Sequence, residues 1–138
     1  MDDGLAVIER LRRATDAHDV DAIVACFADD YVNETPAHPA RGFVGRDQVR
    51  ANWSRILSAV DGLSASVPHA TADGDLIWTE WEMRGTRPDG GLHLMRGVII
   101  FAVRDELIAS ARFYLEPVDD ATTDVNAAVS QITGQSAQ

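Results

Sequence analysis

Tyr31-Val32-Asn33-Glu34-Thr35-Pro36, with the loop Ala37-His38-Pro39-Ala40-Arg41-Gly42-Phe43-Val44-Gly45 behind it, is the stretch on which the reading of this chain turns. Helical periodicity precedes it, and a run of alternating patterns begins one helix after it. In an extended conformation Tyr31, Asn33 and Thr35 share one side, and Val32 and Glu34 the other. A row of uncharged hydrogen-bonding groups is costly in a core unless partners or a ligand satisfy it. That side reads as the polar wall of a cavity; the alternative is an edge strand whose polar groups meet water.

Toward the N-terminus, Leu5, Ile8, Leu11 and Ala14 recur at helical spacing among Glu9, Arg10, Arg12 and Arg13, a first helix ending near Ala17-His18. Asp19 is placed to cap a second helix, in which Val20, Ile23, Val24 and Phe27 form the apolar stripe and Ala28-Asp29-Asp30 the close. On the other side, Gly45 opens a third helix with Asp47 in its first turn. Its stripe is Val49, Trp53, Ile56, Leu57 and Val60, and Asp61-Gly62 ends it.

From Leu63 onward the period becomes that of strands. Residues 65–71 form a weak strand whose Pro68 belongs at an edge or on a bulge, and Asp73-Gly74 is a hairpin turn. Strands follow over 75–86, 92–103 and 107–117, joined by Arg87-Pro88-Asp89-Gly90-Gly91 and by a tight turn at Arg104-Asp105-Glu106. Val125, Val129 and Ile132 predict one more short helix before a Gly/Ser/Gln tail expected to be disordered. Helices first and a strand meander after them is the α+β pattern. One domain over 1–118 and a C-terminal helix and tail over 119–138 account for the chain.

The turns fix a register. Centring the first near Asp89 pairs Glu82 with Arg96, Trp81 with Gly97, and Met83 with Met95. Centring the second near Asp105 pairs Arg96 with Tyr114 and Gly97 with Phe113. One face then carries Thr79, Trp81, Met83, Met95, Gly97, Ile99, Phe101, Ala111, Phe113 and Leu115, apolar enough for a core or pocket floor. Gly97 between Trp81 and Phe113 would leave a depression there. The other face mixes Leu94, Val98, Ile100 and Tyr114 with Glu80, Glu82, Arg84, Arg96, Arg112 and Glu116. Glu82 opposite Arg96 reads as a cross-strand ion pair.

Composition narrows the function classes. A net charge of −10 argues against nucleic acid or an anionic membrane as partner. No apolar stretch approaches the roughly 20 residues a membrane helix needs. The acidic start Met1-Asp2-Asp3-Gly4 is unlike a secretory signal, so the default compartment is the cytoplasm. The single Cys26, in an apolar helical pattern, reads as a buried inert thiol. His18, His38, His69 and His93 lack a metal-ligand spacing, and no glycine-rich phosphate loop or serine nucleophile motif occurs.

Several phrases resemble the nuclear transport factor 2-like superfamily and its SnoaL-like members. They are residues 17–33, the helix start Gly45-Arg46-Asp47-Gln48-Val49-Arg50, Met95-Arg96-Gly97-Val98, and Ala111-Arg112-Phe113-Tyr114-Leu115-Glu116-Pro117. The resemblance implies an α+β cone of three N-terminal helices on a curved antiparallel sheet enclosing a ligand cavity. It also removes chemistries. In ketosteroid isomerases of this fold, the oxyanion-hole Tyr, the base Asp and the second Asp would match Leu11, Thr35 and Ile99. In limonene-epoxide hydrolases, the Tyr and Asn that hold water match Tyr31 and Asn33, but the Asp-Arg-Asp trio falls on Met83, Trp81 and Phe113.

Tyr31, Asn33, His38 and Glu34 are therefore the candidate catalytic residues. Tyr31 and Asn33 would orient a substrate oxygen or water, and His38 or Glu34 would carry a proton. Thr35, Trp53, Thr79, Trp81, Met83, Met95, Gly97 and Phe113 are the candidate substrate-binding residues. His93 shares the pocket parity but sits near a hairpin end, a rim position. The expected role is action on a small, largely apolar organic molecule by isomerisation, cyclisation or dehydration, without cofactor or metal. The rival is a non-catalytic ligand-binding or interaction domain. A homodimer through the outer face of the sheet is expected, because Leu94, Val98 and Ile100 leave that face apolar.

Overall fold

The structure, a computed structural model, describes residues 3–135. Helix α1 (Asp3–Asp16) buries Val7, Ile8, Leu11 and Ala14, one face of its periodic pattern, and lies against β3 (Asp61–Asp73). A corner follows in which His18 adopts φ 58° and its Nε2 hydrogen-bonds the carbonyl of Leu63 at 2.6 Å. The α2 helix (Val20–Val24) starts at Asp19, whose side chain accepts from the amide of Ala22.

The helical pattern through Phe27 ends early. Strand β1 (Phe27–Glu34) already includes Phe27, opposite Ile108, and the carbonyl of Cys26 accepts from the Ile108 amide at 2.8 Å. Tertiary pairing overrides local periodicity here. Cys26 is buried and free.

The loop after β1 holds one 3₁₀ turn (Pro39–Arg41) and returns as the two-residue strand β2 (Phe43–Val44), which the sequence reading leaves out. Phe43 pairs with Asn33 and Val44 with Val32. Gly45, at φ 100°, donates to the carbonyl of Tyr31 at 2.7 Å and turns the chain into α3 (Arg46–Ala59). Arg46 then ties α3 to β1 through Asp29 (2.8 Å) and the carbonyl of Phe27 (2.7 Å).

Strands β4 (Leu76–Thr86), β5 (Leu92–Arg104) and β6 (Leu107–Pro117) complete a curved, unclosed sheet of order β2-β1-β6-β5-β4-β3. It is antiparallel except where β1 runs parallel beside β6. Strand β3 is an edge, and its register slips between Ser66 and His69 around Pro68. A residue without an amide hydrogen is accommodated at such a place. The core fills the concave side, where α1 and α3 pack.

The β4–β5 register is as expected, with Glu82 opposite Arg96, Trp81 opposite Gly97 and Met83 opposite Met95. The β5–β6 register differs by two residues: Gly97 faces Leu115 and Arg96 faces Glu116. Two local features cause this. The turn is centred between Asp105 and Glu106, at φ 54° and 63°, and a bulge follows between Ala102 and Val103. An even shift keeps every side chain on its expected face. Gly97 therefore lies between Trp81 and Leu115, not Phe113.

Helix α4 (Val125–Ile132) is capped by Asp124, and its Val125, Val129 and Ile132 are exposed. The last residues of the expected tail, 136–138, lie outside the described residues. No helix among the described residues is long and apolar enough to cross a membrane.

Candidate functional site

The concave side of the sheet and the facing sides of α1 and α3 enclose a cavity of about 300 Å³. Its closed end is made by Leu11, Phe27, Ile99 and Phe101, all buried, and its wall by Val49, Trp53, Ile56, Trp81, Met83 and Phe113. Arg41 and Asn52 line the cavity and are also exposed, and Thr35, His93, Met95 and Leu115 are half-buried, so these residues mark the mouth.

Strand parity delivers the polar wall. Tyr31 and Asn33 point inward from β1, and the Tyr31 hydroxyl donates to Asn33 Oδ1 at 2.7 Å. The Tyr31 ring is wedged between Phe27 and Phe43, with centroids 4.7 and 6.0 Å away in edge-on contacts. Burial pushes the Tyr31 phenol well above its ordinary value, so it serves as a neutral hydrogen-bonding group. Thr15 is buried at the wall with its hydroxyl donated to the carbonyl of Leu11 at 2.9 Å.

Of the candidate binding residues, Thr35, Trp53, Trp81, Met83, Met95 and Phe113 border the cavity. Thr79 and Gly97 do not. The Thr79 hydroxyl donates to the carbonyl of Ile99 at 2.6 Å and accepts from the Trp81 indole at 2.8 Å, which fixes the indole instead of meeting a ligand. Gly97, at φ 150°, lets β6 approach: a β-carbon there would run into the carbonyl oxygen of Tyr114.

Of the four candidate catalytic residues, Tyr31 and Asn33 line the cavity while His38 and Glu34 do not. Glu34 is exposed, on the outward parity of β1. His38 Nε2 lies 2.8 Å from Glu116 Oε1, a contact that fastens the loop after β1 to the last strand. Residues 78 positions apart give no local signal of that pairing.

His93 is the cavity-lining group that ordinarily titrates near neutrality, and burial, then the charge of Arg87, holds its pKa below 6.5. Arg41 and Asn52 escape the sequence reading because one sits in an irregular loop and the other on the polar flank of the α3 stripe. Among the described residues that line the cavity there is no Asp or Glu. No group of three or more His, Cys, Asp or Glu among the described residues could hold a metal ion.

Known structures share this architecture. RV0760c from Mycobacterium tuberculosis, solved in complex with estradiol-17beta-hemisuccinate, matches with TM-score 0.71 and 23% identity, over 83% of this chain and 94% of that one. The epoxide hydrolase/cyclase-like enzyme SalBIII, of pyran ring formation in salinomycin, matches with TM-score 0.71 and 21% identity, over 83% and 90%. A computationally designed 17-OHP binder matches with TM-score 0.71 and 23% identity, over 86% and 100%. At these identities the likeness shows the fold. No curated protein matches the sequence. The model of the SnoaL-like domain family matches residues 8–111, most of the chain and nearly all of the cone, and the protein belongs to that family.

Proposed function

We propose that this SnoaL-like domain binds a small, largely apolar organic molecule in its cavity. The observation that carries the reading is the lining: a half-enclosed chamber of Leu, Ile, Phe, Trp and Met side chains with a few polar groups at one wall and the mouth. Support comes from neighbours of the same fold, one a steroid-hemisuccinate complex and one a designed 17-OHP binder. The positions that the resemblance assigns to acids and bases hold Leu11, Thr35, Ile99, Met83, Trp81 and Phe113, none of them ionisable near neutrality, which favours retention of a ligand over its turnover. Titration with N-phenyl-1-naphthylamine should give a saturable fluorescence rise, one site per chain. Thr35→Trp, which puts an indole in the mouth, should abolish it. No saturable signal, or one indifferent to that substitution, would defeat the proposal.

A second reading is favoured by His93, an imidazole held neutral at the mouth of the cavity and thus able to accept a proton. In that reading Tyr31 and Asn33 orient a substrate oxygen and His93, in place of His38 or Glu34, carries the proton in a cofactor-free isomerisation, cyclisation or dehydration. His93→Gln should then lower turnover about a hundredfold.

The proposal extends to assembly as a homodimer through the outer face of the sheet. Ile100 is 5% exposed within the single chain, between its cross-strand neighbours Trp78 and Arg112, so part of the apolar strip is already covered. Trp78 and Tyr114 remain exposed beside Val98 and Ile100 and supply the contact. Sedimentation at micromolar concentration should show a dimer that Val98→Glu dissociates; a monomer would remove this part of the proposal.

A further inference from the structure

The polar groups of the cavity have an asymmetry. Two amides line it, and each has its oxygen occupied inside the protein: Asn33 Oδ1 by the Tyr31 hydroxyl (2.7 Å) and Asn52 Oδ1 by Gln48 Nε2 (2.8 Å). Each oxygen thus has one of its two lone pairs engaged, whereas neither NH₂ makes a bond among the described residues, which leaves the donors as the freer side of each amide. Of the remaining lining groups, the Thr15 hydroxyl is spent on the carbonyl of Leu11 and the Trp81 indole on Thr79, while the half-buried Thr35 hydroxyl at the mouth can donate as well as accept.

Arg41 adds the charge. Most arginines of this acidic chain stand against a carboxylate, as Arg12 and Arg13 do with Glu9, or Arg84 and Arg96 with Glu82. The Arg41 guanidinium has no ion pair and no side-chain hydrogen bond among the described residues, yet it lines the cavity. With no Asp or Glu among the described lining residues, the mouth presents the Asn52 donor and one fixed positive charge, with only the neutral Thr35 hydroxyl and His93 imidazole as further polar groups.

An apolar chamber whose mouth offers donors selects a ligand with an apolar body and an acceptor-rich, anionic end. We infer that the cavity takes an amphipathic organic acid, its hydrocarbon body inside the cone and its carboxylate on Arg41 at the mouth, with the Asn52 amide as a further donor. This rests on the cavity being the binding site proposed above. The planar guanidinium fork suits a carboxylate and makes charge-assisted bonds stronger than neutral ones. The protein's net charge of −10 works the other way, since the long-range field repels anions and attracts cations. Preference for an acid can thus come only from local contacts.

The test compares three probes of one shape by titration calorimetry: 2-naphthoate, its methyl ester and 2-naphthylmethylammonium. The native protein should bind the acid about tenfold more tightly than the ester, and the ammonium most weakly. Arg41→Gln should erase the acid's advantage, and Arg41→Lys, which keeps the charge without the fork, should retain part of it. Arg55→Gln, an exposed arginine of α3 outside the cavity, removes the same charge and should leave the advantage intact. Thermal melts confirm that each variant is folded. An ester or ammonium as tight as the acid, or an advantage that survives Arg41→Gln, overturns the inference while leaving the cavity reading in place. Failure of all three probes to bind overturns both.

Discussion

Trp78 and Trp81 stand three residues apart on β4 and face opposite ways. Trp81 is 1% exposed, its indole bonded to Thr79 and its ring beside Phe101; Trp78 is 42% exposed on the convex side. The contrast holds across the sheet. The convex face of β4 to β6 carries Glu80, Glu82, Arg84, Arg96, Arg112 and Glu116, with Glu82 bonded to both Arg84 (2.7 Å) and Arg96 (2.9 Å). Those arginines hold the Glu82 carboxyl below its ordinary range. The concave face of the same strands carries no charged side chain but His93 when protonated. Apart from His93, the acid–base groups of these strands are therefore on the side away from the cavity, and the inner face is organised for shape.

The largest test of that division is the pair of tryptophans. Trp81→Ala should cost about 3–5 kcal/mol by removing a fully packed ring and opening a void. Trp78→Ala should cost well under half of that in the isolated chain. Chemical denaturation measures both, and equal losses would show that the convex face is covered as completely as the concave one. Gly97→Ala comes next, at about 1–3 kcal/mol, because its backbone conformation disfavours a side chain and the new carbon meets the Tyr114 carbonyl. If that variant were neutral, β5 and β6 would not be held as closely as described.

The division was legible because parity survives errors that register does not. The alternation of 79–83 and 95–101 by itself assigns the inner residues, and a two-residue slip of β6 leaves that assignment intact. The slip itself was hidden, since a two-residue turn at Asp105-Glu106 without glycine and the bulge beyond it leave no mark in the pattern. So was the parallel pairing of β1 with β6, which joins segments almost eighty residues apart. Thr79 had the right face for a ligand contact, yet its hydroxyl went to the Ile99 carbonyl across the strand. Arg41 ends a single 3₁₀ turn too short to leave a periodic signal, so only the folding back of β2 along β1 reveals it at the mouth.

Within the concave face, Tyr31→Phe should cost about 1 kcal/mol, the scale of one buried hydrogen bond, and leave Asn33 Oδ1 without its donor. The same variant tests the phenol's raised pKa. The folded state keeps the Tyr31 proton, whereas the unfolded chain releases it near its ordinary value of 10.0. The stability this contributes is complete below pH 10 and falls as the pH rises beyond it. Tyr31→Phe should flatten the alkaline limb of a stability–pH curve, and an unchanged limb would mean that the phenol reaches solvent.

The smallest effect belongs to His93, and its sign is opposite. Burial first, and then the charge of Arg87, lower its pKa from 6.5, so the folded state resists protonation and the unfolded chain does not. Between the lowered value and 6.5 the unfolded state binds more protons, and stability falls as the pH is lowered through that window. Above 6.5 both states are neutral and the contribution vanishes. His93 is only partly buried, so solvent screening keeps the effect small. His93→Gln keeps a donor and an acceptor at the rim but cannot titrate, and melts from pH 7.5 down to pH 5 should show a shallower acid decline than the native protein. An acid decline that is steeper in the variant would mean that His93 gains a partner on protonation, and the mouth would then hold an anionic group that the present lining does not contain.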